Sequence, residues 1–183
     1  MDKALLRALF LTPAYGFTHG RRPMFVIEAN DVGSGKTTLT EILGDIYGGC
    51  IDYKPTARGE DEFMSRLLSP DSRHQRIIRI DNAKGELGGQ FLEYLVTTKT
   101  FSGRQMYVGE GRRPNTCTTV VTGNTMRLTE DIAGRCYFIH LVRPAYDPTW
   151  EGRVKGYVDA HRQRILADIV WTLPGNSPGR FPR

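Results

Sequence analysis

With 183 residues, a net charge of +5 and an isoelectric point near 9.2, the chain is one domain's worth of protein and leans toward a polyanionic partner. It holds no run of eighteen apolar residues, which excludes a spanning helix and argues against a membrane partner. Cys50, Cys117 and Cys136 are odd in number and far apart, and the four histidines are scattered. That excludes a disulfide framework or zinc cluster and predicts reduced, buried thiols in a cytoplasmic protein.

In chain order, residues 4–11 are apolar but broken by Arg7 and followed by Thr-Pro. They predict a short amphipathic helix rather than a secretion signal. Residues 24–27 predict a strand, and apolar positions 39, 42, 43 and 46 predict a helix up to Tyr47. Residues 50–53 read as a short strand, 60–68 as a helix stopped by Ser69-Pro70, 76–81 as a buried strand, and 90–96 as a helix. Residues 104–108 and the stretch after Pro114 predict a hairpin turning at Gly109-Glu110-Gly111. Strands follow at 118–122 and 136–142, then a long helix at about 152–171 and a Pro/Gly-rich flexible tail at 174–183. Alternating strands and helices predict an α/β fold with a mostly parallel five-stranded sheet between helices. The expected organisation is a single domain over 1–173: an N-terminal helix and linker (1–21), a core (22–143) and a C-terminal helix (144–173).

Residues 30–38, Asn-Asp-Val-Gly-Ser-Gly-Lys-Thr-Thr, carry the chemistry. They match the phosphate-loop pattern G-x-x-x-x-G-K-[ST] except that Asn30 stands at the first glycine. The loop falls between a predicted strand and a predicted helix, where backbone N–H groups and the helix dipole meet phosphates. Asn30, Val32, Gly33, Ser34, Gly35, Lys36, Thr37 and Thr38 are therefore the expected nucleotide-binding residues. The glycines let the backbone curl, Lys36 reaches the β- and γ-phosphates, and the Thr37 hydroxyl sits on Mg²⁺. The implied cofactors are ATP and Mg²⁺.

Asp81 ends an apolar strand, as the magnesium-side carboxylate of such an ATPase does. Asn82 follows where many of these enzymes carry a glutamate, and an amide cannot accept a proton. Glu28 and Glu86 are the candidate replacements, each read first as structural. Asn124, in Thr122-Gly123-Asn124 after a strand, falls at a sheet's carboxyl end, where an amide can hold the attacking water. An ordinary Gly-Asn turn is the alternative. Arg104, Arg112 and Arg113 with Tyr107 form a basic, aromatic hairpin able to track and stack on single-stranded DNA; a solvated charged hairpin is the plainer reading.

The order of phosphate loop, Asp81-Asn82-x-Lys84-Gly85, basic hairpin, Thr122-x-Asn124 and Asp131-Ile-Ala-Gly-Arg135 resembles the AAA+ core of superfamily III helicases and the related phage and plasmid primase–helicases. The resemblance covers roughly residues 22–143. It implies a P-loop NTPase fold with an inserted β-hairpin. It makes Asn124 the first sensor, Arg135 an arginine finger reaching the neighbouring subunit's ATP, and the hairpin at about 103–115 a DNA grip in a ring's central channel. Lys36, Asp81, Asn82, Asn124 and Arg135 become the expected catalytic set, and Thr37 with Asp81 the metal set. The implied function is the ATP-hydrolysing motor of a ring-forming, hexameric DNA helicase in the replication of a mobile element. The collar or primase region that usually precedes such a core has no counterpart here, so the chain reads as an excised or reduced form. A P-loop kinase of a nucleotide or small molecule, and a weakly hydrolysing ATP-dependent switch, are the competing readings.

Overall fold

The computed structural model describes residues 3–15, 20–29, 31, 33–54, 59–105, 109–143, 145 and 147–173. The expectations for Asn30, Val32, Tyr107 and the tail at 174–183 fall outside the described residues. Helix α1 (Lys3–Leu11) precedes strand β1 (Met24–Ala29), helix α2 (Lys36–Tyr47), strand β2 (Ile51–Asp52) and helix α3 (Gly59–Leu67). Then come β3 (Ile77–Leu87), α4 (Gln90–Thr97), the hairpin β4 (Thr100–Gln105) and β5 (Gly109–Pro114), β6 (Thr118–Leu128), the single-turn α5 (Glu130–Ala133), β7 (Cys136–Leu141) and α6 (Trp150–Thr172).

Five strands form one sheet in the order β2-β3-β6-β1-β7, every neighbouring pair parallel, and β4-β5 form a separate antiparallel ribbon. Parallel strands are covered on both faces, which is why β1 reads as a continuous apolar run. Successive side chains then go to opposite layers. Met24 and Val26 join Ile78, Ile80 and Val121 beneath α3, α4 and Phe101 of the hairpin. Phe25 and Ile27 join Ile77, Val120 and Ile139 beneath Leu9 of α1 and Leu43 of α2. Helix α6 forms a further layer, with Val158 and Ile169 packed on Ile42 and Ile46 of α2.

Three expectations need correction. Asp81 does not end its strand: β3 continues to Leu87, paired with β6 through register shifts between Ile80 and Lys84. A polar run reads as loop, yet the ladder is made by backbone and continues through it. The hairpin does not turn at Gly109-Glu110-Gly111, because these residues already pair with Gln105, Arg104 and Gly103 in β5. Of the three cysteines only Cys117 is buried, while Cys50 and Cys136 are half-buried. Among the described residues no helix is long and apolar enough to cross a membrane.

Candidate nucleotide-binding site

The candidate phosphate loop lies between β1, which ends at Ala29, and α2, which begins at Lys36. Gly33 (φ 76°) and Gly35 (φ 85°) both take left-handed backbone conformations, which glycine adopts without a Cβ penalty. Gly35 is the cap of α2, its carbonyl accepting from the Leu39 N–H at 2.9 Å. The loop thus leads directly into the helix N-terminus, where the orphan N–H groups and the dipole favour an anion. Ser34 is buried and its Oγ accepts from Lys36 Nζ at 3.1 Å. Thr37 is exposed, and Thr38 is half-buried.

Across the site, Thr37 Oγ1 lies 3.5 Å from Asp81 Oδ1. The two side chains come from α2 and β3, forty-four residues apart, and only the fold brings them together. A hydroxyl beside a carboxylate is a hard oxygen set. It suits Mg²⁺, which takes one or two carboxylates, phosphate oxygens and several waters rather than an all-protein cage.

Thr122 is the residue that sequence reasoning left without a role. Its Oγ1 donates to Asp81 Oδ1 at 2.5 Å and accepts from the Asn82 N–H at 2.9 Å, while the residue is 1% exposed. Asn82 sits at φ 55°, a left-handed conformation that Asn tolerates better than most residues, at the irregularity in β3. Gly123 permits the same crossing: a Cβ there would meet the Ala83 carbonyl oxygen at 2.8 Å. The Thr-Gly-Asn step is therefore built around Asp81 and Asn82. No periodicity signal could have shown this, because the partners meet across two strands.

Asn124 is exposed and directly follows Gly123, which is in register with Glu28 at the end of β1. It therefore stands at the same end of the sheet as the phosphate loop. Glu28 Oε2 lies 3.6 Å from His140 Nδ1 on β7. Glu86 is exposed five residues beyond Asp81 on β3, opposite Arg127 of β6, so the strand carries it away from the Thr37–Asp81 pair.

Arg135 is exposed at the opposite end of the sheet. Its carbonyl accepts from the Met24 N–H, and Cys136 is in register with Met24. The loop follows Ala29, five residues further along parallel β1, about 17 Å at the usual strand rise. That exceeds the reach of an arginine side chain, so Arg135 cannot touch phosphates held in its own chain's loop. It lines a cavity of about 260 Å³ with Arg21, Arg22 and Tyr137.

In the hairpin, Arg104 stands opposite Glu110 and Arg112 opposite Ser102, and strand alternation puts all four on one face; both arginines are exposed. Arg113 alternates to the other face and so does not join the DNA-facing residues expected from the sequence. It is 6% exposed, opposite Phe101, and donates to the Leu67 carbonyl at 3.0 Å, the Gln75 carbonyl at 2.5 Å and Cys117 Sγ at 3.4 Å. Burial lowers its pKa from the ordinary arginine value. With its donors committed to buried acceptors, Arg113 ties the hairpin to α3 and offers no surface to DNA.

No family sequence model matches the chain, and no curated protein matches it in sequence. Solved structures do match. The apo C-terminal region of NrS-1 aligns with a TM-score of 0.59 at 14% identity, covering 87% of this chain and 40% of that one. A JCV helicase with an inhibitor bound aligns with a TM-score of 0.53 at 16% identity, covering 93% of this chain and 50% of that one. A second JCV helicase complex gives 0.53 at 13% identity, covering 94% and 56%. The chain therefore spans between 40% and 56% of the length of these structures. At such identities the likeness is one of fold alone: an α/β domain with a five-stranded parallel sheet and an antiparallel hairpin, shared with these structures.

Proposed function

We propose that this chain is the ATP-binding and ATP-hydrolysing motor domain of a ring-forming DNA helicase that serves the replication of a mobile element. The observation that carries the proposal is the approach of Thr37 Oγ1 to Asp81 Oδ1 at 3.5 Å beside a glycine-shaped loop and Lys36. The likeness in fold to the JCV helicase structures adds the expectation of nucleic-acid work to that of nucleotide binding.

In this reading the loop's N–H groups and Lys36 hold the triphosphate, and Thr37 with Asp81 holds Mg²⁺. Bound there, Mg²⁺ would supply positive charge that offsets the negative charge of the phosphates during phosphoryl transfer. Thr122 fixes the orientation of Asp81. Asn124 holds the attacking water in line. Arg135 acts from a neighbouring subunit, because it stands too far from its own loop, and stabilises charge on the departing phosphoryl group. A homo-oligomer, with a hexameric ring as the expected form, therefore completes each site. Arg104 and Arg112 contact the phosphates of single-stranded DNA.

The weakly hydrolysing switch is favoured by one observation. Asn82 has an amide side chain where a proton acceptor is wanted, and its N–H is tied to Thr122. A single experiment separates the readings: ATP turnover with and without single-stranded DNA, measured alongside solution mass. DNA-stimulated turnover by an oligomer is the expected result. Tight ATP binding without turnover would replace the motor with the switch, and phosphate transfer to a small acceptor by a monomer would replace it with the kinase.

A further inference from the structure

Trp150, the first residue of α6, lies against the phosphate loop. A Cβ placed on Gly35 would sit 3.8 Å from both Cζ3 and Cη2 of its ring, and the residue remains 38% exposed. We propose that the indole of Trp150 is the platform on which the base of the bound nucleotide stacks, making this a site for purine nucleoside triphosphates. The proposal rests on the phosphate-loop reading of residues 30–38.

The ring is held in place from two directions. Helix α6 runs parallel to α2 and is fixed to it along its length. Lys155 Nζ meets Glu41 Oε2 at 2.7 Å, and Arg162 Nε donates to the Asp45 and Ile46 carbonyls at 2.8 and 3.0 Å. Trp150, Lys155 and Arg162 thus match Gly35, Glu41 and Asp45 in order, which brings the two helix N-termini side by side. The start of α6 is also fixed locally. Asp147 Oδ1 accepts from the Thr149 N–H and hydroxyl, its Oδ2 accepts from Arg153, and its carbonyl accepts from the Trp150 N–H. These bonds to Asp147 hold its carboxyl below the usual carboxylate range. A ring on a pinned helix start is preorganised, so little ordering remains when a ligand arrives.

The chemistry follows from this placement. Phosphates seated on the loop's N–H groups leave the ribose and base projecting from it, and Trp150 presents an aromatic surface against Gly35 of that loop. The next aromatic along α6, Tyr157, is already stacked on His161 at 4.3 Å. An indole presents a broad π-face, and a two-ring purine overlaps it more fully than a pyrimidine does.

The test uses ATP, CTP and inorganic tripolyphosphate with Mg²⁺, titrated into the parent protein and into Trp150→Ala, Trp150→Phe and Lys36→Ala. A Trp171→Phe background makes Trp150 the sole indole emitter. Trp150→Ala should weaken ATP binding about tenfold, weaken CTP less and leave tripolyphosphate unchanged, with Trp150→Phe recovering most of the loss. Trp150 emission should change with ATP and not with tripolyphosphate. Unchanged ATP affinity in Trp150→Ala would overturn the proposal. So would equal losses of ATP and tripolyphosphate, which would make the ring a prop for the loop. Lys36→Ala is the separate check: it should lose both ligands, and unaltered binding there would overturn the phosphate-loop reading itself.

Discussion

Thr122 and Asp81 are joined side chain to side chain. The buried Thr122 hydroxyl donates to the Asp81 carboxylate while accepting from the N–H of Asn82, the next residue along β3. One oxygen therefore sets both the rotamer of the candidate metal acid and the backbone of the residue beside it. Thr122→Val keeps the shape and removes the hydroxyl, leaving the Asn82 N–H unpaired. The expected outcome is a loss of about 1–3 kcal/mol of stability, a higher Mg²⁺ requirement and slower ATP turnover. Thr122→Ser should restore all three. Denaturant melts and a Mg²⁺ titration of turnover check this, and an unchanged Mg²⁺ requirement in Thr122→Val would remove Thr122 from the site.

Arg112 and Arg113 are neighbours in sequence with opposite fates. Arg113→Ala strands the Leu67 and Gln75 carbonyls and should destabilise the fold by about 2–4 kcal/mol. Arg112→Ala should leave stability within about 0.5 kcal/mol and lower the salt slope of single-stranded DNA binding by about one. Melts of both variants, with DNA titrations at several salt concentrations, test the pair. A stable Arg113→Ala protein would show that its buried hydrogen bonds add little.

The distance between Arg135 and its own loop leads to a mixing experiment. Arg135→Ala alone should turn over ATP more slowly by roughly a thousandfold or more, while still binding nucleotide. Lys36→Ala alone should be inactive at its own loop but keeps its arginine. Mixed oligomers contain interfaces pairing a sound loop with a sound Arg135, so activity should partly return. No return in oligomers demonstrated to be mixed would sink the trans-acting role.

Burial raises the thiols of Cys50 and Cys136 to about 11 from an ordinary value of 9.0. The folded state favours the protonated form. The contribution is thus fully present below pH 9 and lost as pH rises from there through 11. Stability should fall across that window, and Cys50→Ala with Cys136→Ala should flatten the fall. Urea midpoints at pH 8, 9, 10 and 11 measure it. An identical pH slope in the double variant would assign the loss to other groups.

The glycine positions and the strand-to-helix context of the candidate loop could be read locally, because it is one continuous segment whose conformation depends on its own backbone. The apolar runs likewise gave the strands of a buried parallel sheet, since burial on both faces leaves a contiguous signal at 24–27 and 76–81. What failed locally was whatever the sheet ladder decides. The polar run from Asp81 to Leu87 gives no strand signal, yet its backbone pairs with β6. The hairpin turn was misplaced because three glycine-spaced residues look like a turn and are instead paired in β5.

The sequence alone determined the pattern: a glycine-rich loop ending in Lys36-Thr37, an acid after an apolar run, and an Asn and an Arg further along the chain. Only the tertiary structure decided which residues meet. Parallel pairing of β3, β6 and β1 brings Thr37, Asp81 and Thr122 together and sends Arg135 to the far end of the sheet. Strand alternation turns Arg113 inward and Arg112 outward, although both read as the same basic residue in a basic hairpin. The parallel packing of α6 on α2 lays Trp150 over Gly35 across more than a hundred residues. Each of these contacts depends on register and face, which arise from pairing between distant segments and leave no trace in the local order of the residues.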